Sequence, residues 1–81
     1  MRKIIITGAS QGLGHDAAIW FSKLNYKIAL LSRSFQNLEK VRKKCKNSSK
    51  HISLEIDLLD KDNLSTSINK AVRFLKGVDV V

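Results

Sequence analysis

Apolar and polar positions along the chain follow two periods, and the period changes at each glycine-rich or polar break. The run Lys3–Thr7 is short and rich in β-branched residues, which is typical of a strand buried on both faces. After the glycines, the apolar residues return at helical spacing. They predict one buried stripe, formed by Leu13, Ala17, Trp20, Phe21 and Leu24. Asn25 is a candidate end for this helix because asparagine tolerates left-handed backbone.

The alternation of strands and helices continues along the rest of the chain. Tyr26–Ser32 predicts a second buried strand, and residues 52–56 predict a third because apolar and polar side chains alternate there. Ser34 and Asp60 are candidate N-caps for two further helices. The predicted inner faces of those helices are Leu38, Val41 and Cys45 in the first, and Leu64, Ile68, Val72 and Leu75 in the second. We expect Gly77 to stop the last helix and Val78–Val81 to begin a fourth strand.

The predicted order is therefore β-α-β-α-β-α-β. Strands and helices that alternate in this way imply an α/β fold with a parallel sheet and right-handed crossovers. With 81 residues the chain allows one small domain with a thin core. We expect residues 1–81 to form the first half of a doubly wound domain rather than a whole one.

Charge and cysteine content limit the partners and the compartment. The formal net charge is +8, which favours contact with phosphates, nucleic acids or anionic surfaces. Cys45 is the one cysteine, so no internal disulfide can form, and the chain suits a reducing compartment. The apolar run at Ile4–Ile6 is far shorter than a signal sequence or a membrane span, so the sequence predicts a cytoplasmic protein. His15 and His51 lack metal-ligand spacing, so we predict no metal site and expect both at the surface.

Three glycines follow the first predicted strand within the stretch TGASQGLG, at Gly8, Gly12 and Gly14. Parallel α/β sheets bind ligands at the carboxyl ends of their strands, and helix N-termini attract phosphate. Gly8 would permit the tight turn, Gly12 the approach of phosphates, and Gly14 close packing of the helix on the first strand. The phosphate-binding pattern GxxxxGK is excluded because Leu13 stands where its second glycine is required.

These residues resemble the classical short-chain dehydrogenases/reductases, whose glycine loop has the form TGxxxGxG. Arg33 after the second strand, Asp57-Leu58 after the third and Val78–Val81 at the fourth agree with that family in order and spacing, so the resemblance covers the whole chain. It implies a Rossmann-type fold, an NAD(P) cofactor, and interconversion of an alcohol and a carbonyl. The cofactor-binding residues that the resemblance implies are Thr7, Gly8, Ser10, Gln11, Gly12, Leu13, Gly14, Ser32, Arg33, Ser34, Asp57 and Leu58.

The choice between NADP and NAD depends on the end of the second strand. Proteins of this fold that prefer NAD place an acid there, about 20 residues after the loop. Arg33 holds that place and could pair with a 2′-phosphate, whereas an acid would repel it. Gln11 points the other way, because many NADP-using members have Lys or Arg before the middle glycine. NADP is favoured over NAD.

No catalytic residue of the family can be assigned in this chain. The family uses a tyrosine with a lysine four residues later, together with a serine, but Tyr26 is followed four residues later by Leu30. We therefore expect the 81-residue chain to be inactive alone. It could be a fragment of a longer enzyme, a catalytically dead remnant, or a half that pairs with a separate C-terminal half or with a second copy through Val78–Val81.

A basic nucleic-acid-binding module is the main alternative from another class. It would depend on the positive run that lies in and after the second predicted helix, namely Lys40, Arg42, Lys43, Lys44 and Lys46. Most of these residues lie off the predicted inner face, and cations near a helix C-terminus are favourable for local reasons. The run therefore indicates a solvated face rather than a nucleic-acid surface.

Overall fold

The computed structural model describes residues 2–57 and 59–76 of the chain. Within them the elements are β1 (Lys3–Thr7), α1 (Gly12–Lys23), β2 (Lys27–Ser32), α2 (Phe35–Lys44), a 3₁₀ turn (Ser48–Lys50), β3 (Ile52–Glu55) and α3 (Lys61–Leu75). The predicted order is confirmed as far as α3. The predicted helix stop at Gly77 and the predicted strand Val78–Val81 lie outside the described residues.

The strands within the described residues form a parallel sheet with β2 in the middle. Ile5 stands opposite Ala29 in the pairing of β1 with β2, and Leu31 stands opposite Leu54 in the pairing of β2 with β3. Because β2 is paired on both edges and covered on both faces, every residue from Ile28 to Ser32 is buried. The fold is the parallel, Rossmann-type α/β arrangement that the alternation of elements predicts.

Apolar side chains of the sheet form a core on each of its two faces. On one face Ile4, Ile28 and Leu30 pack with Ala18 of α1 and with Leu38 and Val41 of α2. On the other face Ile5, Ala29 and Leu31 pack with Ala71 and Leu75 of α3. Successive β2 residues therefore serve opposite cores, as the two-residue period of a strand requires. Helices cover both faces, so the sheet is doubly wound.

The helix boundaries follow the caps predicted from the sequence. The Ser34 hydroxyl accepts a hydrogen bond of 3.3 Å from the backbone N–H of Asn37, and the Asp60 carboxylate accepts one of 3.1 Å from that of Asn63. Asn25 follows α1 with a φ of 65°, which confirms its predicted role at the helix end. Beyond α3, Lys76 takes the left-handed conformation with a φ of 56°.

The apolar stripe predicted for α1 is wrong in part. Leu13, Trp20 and Leu24 are 89%, 58% and 49% exposed. The helix instead buries Ala18 and Ser22, which follow Gly14 at intervals of four residues and so lie on the same face. Small side chains on this face let α1 approach the sheet closely, where a tryptophan or leucine side chain would not fit.

A similar shift affects α3, whereas the prediction for α2 is confirmed. Ile68 and Val72 are each 38% exposed, whereas Leu75 is buried as predicted, and α3 also buries Ser67 and Ala71. The three buried residues share one face at intervals of four, and the small ones again permit a close approach to the sheet. In the α2 region Leu38, Val41 and Cys45 are all buried, as their spacing predicts.

His51 was expected at the surface, but it is only 6% exposed. β3 begins opposite Ala29, so the preceding residue of β2, Ile28, has no strand partner on that side. The Ile28 N–H donates instead to Nδ1 of His51 at 3.1 Å, and Nε2 of the ring lies 2.8 Å from the Lys46 carbonyl oxygen. Because a backbone N–H can only donate, the ring carries its proton on Nε2.

Candidate functional site

The glycine-rich stretch forms the turn that joins β1 to α1 at the carboxyl edge of the sheet. Gly8 follows the last residue of β1 with a φ of 65°, and Gly12 opens α1 with a φ of 55°. Both values lie in the left-handed region that favours glycine. Between them Ala9 is fully buried, and its N–H donates to the Leu31 carbonyl oxygen at 3.2 Å. The loop is therefore tied to the end of β2.

The N-terminus of α1 differs from the N-termini of α2 and α3. Gln11 is its N-cap residue and makes no side-chain cap hydrogen bond, and the first turn carries no acidic residue. The first N–H groups of a helix have no intrahelical partner, so here they are left for solvent or an anion. A Cβ added at Gly8 or Gly12 would meet no atom within 4 Å, so both glycines border open space. These features fit a phosphate group.

Gly14 has a different role from the other two glycines of the loop. A Cβ there would lie 2.8 Å from the carbonyl carbon of Gly8 and 3.1 Å from Cα of Ala9, and it would also contact the Gly8 carbonyl oxygen. The close approach predicted for Gly14 is therefore present, and its partner is the turn after β1 rather than the strand itself.

At the end of β2 and just after it lie two serines that form a hydrogen bond with each other, and an exposed arginine lies between them. Ser32 Oγ accepts from the Ser34 N–H at 3.2 Å, while the Ser34 hydroxyl caps α2. Arg33, between them, is exposed, and within the described residues its side chain makes no hydrogen bond or ion pair. Its guanidinium is therefore available to an anion.

Asp57 lies after β3 and organises the turn into α3. Its carboxylate accepts a hydrogen bond of 3.0 Å from the Leu59 N–H, and its own N–H donates to the side-chain oxygen of Asn63 at 2.9 Å. One carboxylate oxygen is thus used to hold the turn. Leu58, the neighbouring residue implied by the family resemblance, lies outside the described residues.

Two cavities in the described part of the molecule bring most of these residues together. The larger, of about 680 Å³, is lined by residues of the glycine loop, of the ends of β2 and β3, and of the N-terminal halves of α2 and α3: Thr7, Gly8, Ser10, Gln11, Ser32, Arg33, Ser34, Asn37, Ile56, Leu64 and Ile68. The smaller, of about 260 Å³, is lined by Arg33, Glu55, Ile56, Asp57 and Asn63. Arg33 belongs to both, so it connects the glycine loop with Asp57.

Several of the predicted cofactor-binding residues lie outside both cavities, and several residues that line the cavities were not predicted from the sequence. Gly12, Leu13 and Gly14 do not line either cavity, and the Leu13 side chain is 89% exposed. The missed residues are Asn37, Glu55, Ile56, Asn63, Leu64 and Ile68. Three of them, Asn37, Asn63 and Leu64, lie in the first turns of the helices that Ser34 and Asp60 cap. Because parallel strands end at one edge of the sheet, the helices that follow them start at that edge, and this rule could have found them.

The family model described as short chain dehydrogenase matches residues 2–81. The chain belongs to the short-chain dehydrogenase family. Its fold is therefore that of a family of oxidoreductases.

Relatives of this chain are much longer than the chain itself. A glucose 1-dehydrogenase of Gluconobacter oxydans (strain 621H) is 29% identical over 82 residues, which cover 99% of this chain and 31% of that protein. Dehydrogenase/reductase SDR family member 7 of Mus musculus is 35% identical over 66 residues, which cover 82% of this chain and 20% of that protein. The chain thus spans less than a third of either relative.

Solved structures of dehydrogenases superpose closely on this chain. An alcohol dehydrogenase from the archaeon Thermococcus sibiricus, complexed with 5-hydroxy-NADP, aligns with a TM-score of 0.88 and 26% identity over 99% of this chain and 35% of that chain. The apo glucose dehydrogenase of Caenorhabditis elegans aligns with a TM-score of 0.85 and 20% identity over 98% of this chain and 35% of that chain. The second likeness shows the shared fold.

The described residues can also be compared with what a membrane-spanning helix and a metal site require. In residues 2–57 and 59–76, the helices are too short or too polar to cross a membrane. In the same residues, no three His, Cys, Asp or Glu side chains cluster in a way that could hold a metal ion.

Proposed function

We propose that this chain is the cofactor-binding part of an oxidoreductase that interconverts an alcohol and a carbonyl, with NADP as its cofactor. One observation carries the proposal: the loop before the uncapped N-terminus of α1 borders the same cavity as the uncommitted Arg33. A helix N-terminus with unpaired N–H groups favours phosphate, and a guanidinium favours a second phosphate. Two features that favour phosphate at one cavity suit a phosphorylated dinucleotide.

The glycine loop and the segment after β3 have different proposed roles in binding that cofactor. The loop from Gly8 to Gly14 would hold the pyrophosphate, with the Ser10 hydroxyl as an added donor and the Leu13 backbone toward the nicotinamide side. The Asp57 carboxylate would accept a hydrogen bond from the adenine amino group, and the Leu58 backbone would flank the base. The cofactor supplies or accepts the hydride when bound, while these residues bind and orient it.

NADP rather than NAD is supported by the end of β2. Arg33 is exposed at the cavity, and the two serines beside it are short enough to leave its guanidinium accessible. A planar guanidinium can bind a phosphate through two parallel hydrogen bonds, which a ribose hydroxyl cannot match. Loss of this contact should affect NADPH far more than NADH.

The test is a titration of NADPH and NADH against wild-type protein and Arg33→Ala, in the intact parent enzyme or a reconstituted assembly. We expect Arg33→Ala to weaken NADPH binding by about tenfold or more, since hydrogen bonds to charged groups contribute roughly 1.5–3 kcal/mol, and to leave NADH binding nearly unchanged. Arg73→Ala in α3 removes the same charge outside both cavities and serves as the matched control. Equal affinity of the wild type for both cofactors would contradict the NADP proposal.

The residues that move protons in the reaction would come from outside this chain. Tyr26 is not followed by a lysine at the required position, and its ring packs against Phe21 with centroids 4.8 Å apart. We propose that a C-terminal half, in the same or a separate polypeptide, supplies the catalytic residues and the substrate pocket. We further propose that the protein acts in the cytoplasm, consistent with its single free cysteine.

A further inference from the structure

The smaller cavity places a carboxylate beside the arginine that would bind the 2′-phosphate. Arg33 and Glu55 both line this space of about 260 Å³, and Glu55 is the last residue of β3. In the register of the sheet, Glu55 stands opposite Ser32, the residue before Arg33. The two opposite charges therefore face the same small volume, although they do not form one of the ion pairs found in the described residues.

Glu55 is also held at the N-terminus of α2. One of its carboxylate oxygens, Oε1, accepts a long hydrogen bond of 3.4 Å from the N–H of Phe35, the first residue of that helix. This N–H is one of the groups that a helix offers to an anion. The Ser34 hydroxyl takes the N–H of Asn37. Protein groups thus occupy two of the donors that a bound phosphate would otherwise use.

We propose that Glu55 is a specificity-determining residue that weakens selection of the 2′-phosphate and so moderates the preference for NADP over NAD. Its charge lowers the positive potential at Arg33 and repels a dianionic phosphate, whereas an unphosphorylated ribose does not meet this repulsion. Glu55 also accepts a hydrogen bond from the Phe35 N–H, a donor that the phosphate could otherwise use. The inference rests on the proposed function, because it assumes that the 2′-phosphate binds at Arg33.

The effect can be measured with two nucleotides that differ only in the group of interest. 2′,5′-ADP and 5′-AMP share the adenine, the ribose and the 5′-phosphate, so the ratio of their dissociation constants isolates the 2′-phosphate. Binding to the full 81-residue chain is followed by NMR titration, with circular dichroism of each variant to compare its folding with wild type. This readout does not depend on catalytic residues.

The informative variants are Glu55→Gln and Glu55→Asp. Glu55→Gln keeps an oxygen for the Phe35 N–H and removes the charge, so we expect preference for 2′,5′-ADP to rise about two- to fivefold, the range for partly screened surface charges. Glu55→Asp keeps the charge and should leave the preference close to wild type. Asp16→Asn, on α1 and outside both cavities, is the charge-matched control and should not change the ratio.

The outcomes separate this inference from the proposed function. If Arg33→Ala lowers the preference while Glu55→Gln leaves it unchanged, the role of Glu55 is wrong and the NADP proposal stands. The same conclusion follows if Glu55→Gln and Glu55→Asp raise it equally, because charge would then not be the cause. If Arg33→Ala leaves the preference unchanged, the NADP proposal fails, and this inference fails with it.

Discussion

At the scale of single residues, polar groups that are buried or partly buried connect parts of the chain that are distant in sequence. Glu39 accepts hydrogen bonds from Arg42 at 2.6 and 2.8 Å and from the Ser53 hydroxyl at 2.6 Å, so it joins α2 to β3. The hydrogen bonds from Arg42 and Ser53 lower the pKa of Glu39 to about 2. The carboxylate therefore stays ionised through the physiological range, and this link resists mild acid.

His51 predicts a pH dependence that begins much nearer neutrality. Burial lowers the pKa of His51 below its ordinary value of 6.5, although the hydrogen bond to Lys46 opposes this shift, and the nearby charge of Arg42 acts in the same direction as burial. The unfolded chain then binds a proton at His51 more readily than the folded chain does. The contribution of His51 to the free energy of unfolding is therefore present in full above pH 6.5 and is lost as the pH drops below that value. Protonation of Nδ1 would also break the hydrogen bond from Ile28.

Thermal unfolding measured from pH 7.5 to pH 5 checks this prediction. We expect the wild-type midpoint to fall across that range and the fall to be smaller in His51→Asn, whose side-chain oxygen can accept from Ile28 without titrating. His15→Asn is the control, because His15 contacts the exposed Asp16 and not the core. A wild-type midpoint that stays constant or rises on acidification would contradict the prediction.

At the scale of elements, the packing of α1 depends on small residues rather than on large apolar ones. Gly14, Ala18 and Ser22 share the face that meets the rest of the fold, while Trp20 lies mostly in solvent. The Ser22 hydroxyl also accepts the Lys46 N–H at 3.0 Å, so α1 is tied to the segment after α2. A helix held this close to its neighbours leaves no room for an added methyl group at Gly14.

Gly14→Ala should therefore destabilise the chain by about 1–3 kcal/mol, the usual cost of overpacking, even though alanine favours a helix by roughly 1 kcal/mol over glycine. The atoms that the methyl group would meet are backbone atoms of Gly8 and Ala9, which cannot rotate away. Because those atoms form the loop, binding of 5′-AMP should weaken as well. Urea unfolding and nucleotide titration measure the two effects.

Gly12→Ala provides the comparison for this prediction. Its φ of 55° makes alanine unfavourable, but a Cβ there would meet no atom within 4 Å. We expect a cost of about 1–2 kcal/mol from backbone strain alone, without displacement of Gly8. A Gly14→Ala variant more stable than wild type would show that the helix can move away from the turn.

At the scale of the whole molecule, the chain carries the proposed cofactor cavity, while the catalytic residues are proposed to come from a C-terminal half. A domain of this size buries only about 60% of the surface of its unfolded chain, so its stability is expected to be marginal.

We expect the purified 81-residue chain to bind NADP weakly, to unfold over a broad range of temperature and to show no carbonyl-dependent oxidation of NADPH. Absorbance assays with a panel of aldehydes and ketones, with a full-length family member as positive control, measure the activity. A sharp cooperative transition together with carbonyl-dependent NADPH consumption would contradict this prediction.

Local sequence features determined the elements and the position of the site. Two-residue and helical periods, the caps Ser34 and Asp60 and the left-handed Asn25 all act over a few residues, so a single sequence is enough to predict them. The glycine stretch after a buried strand likewise placed the candidate site at the carboxyl edge of the sheet, because the direction of a parallel strand decides which end carries the loop.

Only the tertiary structure decided which residues meet. The burial of His51 depends on the offset of β3 against β2, and the exposure of Trp20 depends on how closely α1 approaches the sheet. Glu55 joins Arg33 in one cavity although they are far apart in sequence. Such contacts result from the packing of several elements at once, and periodicity along one segment carries no information about the shape of its neighbours.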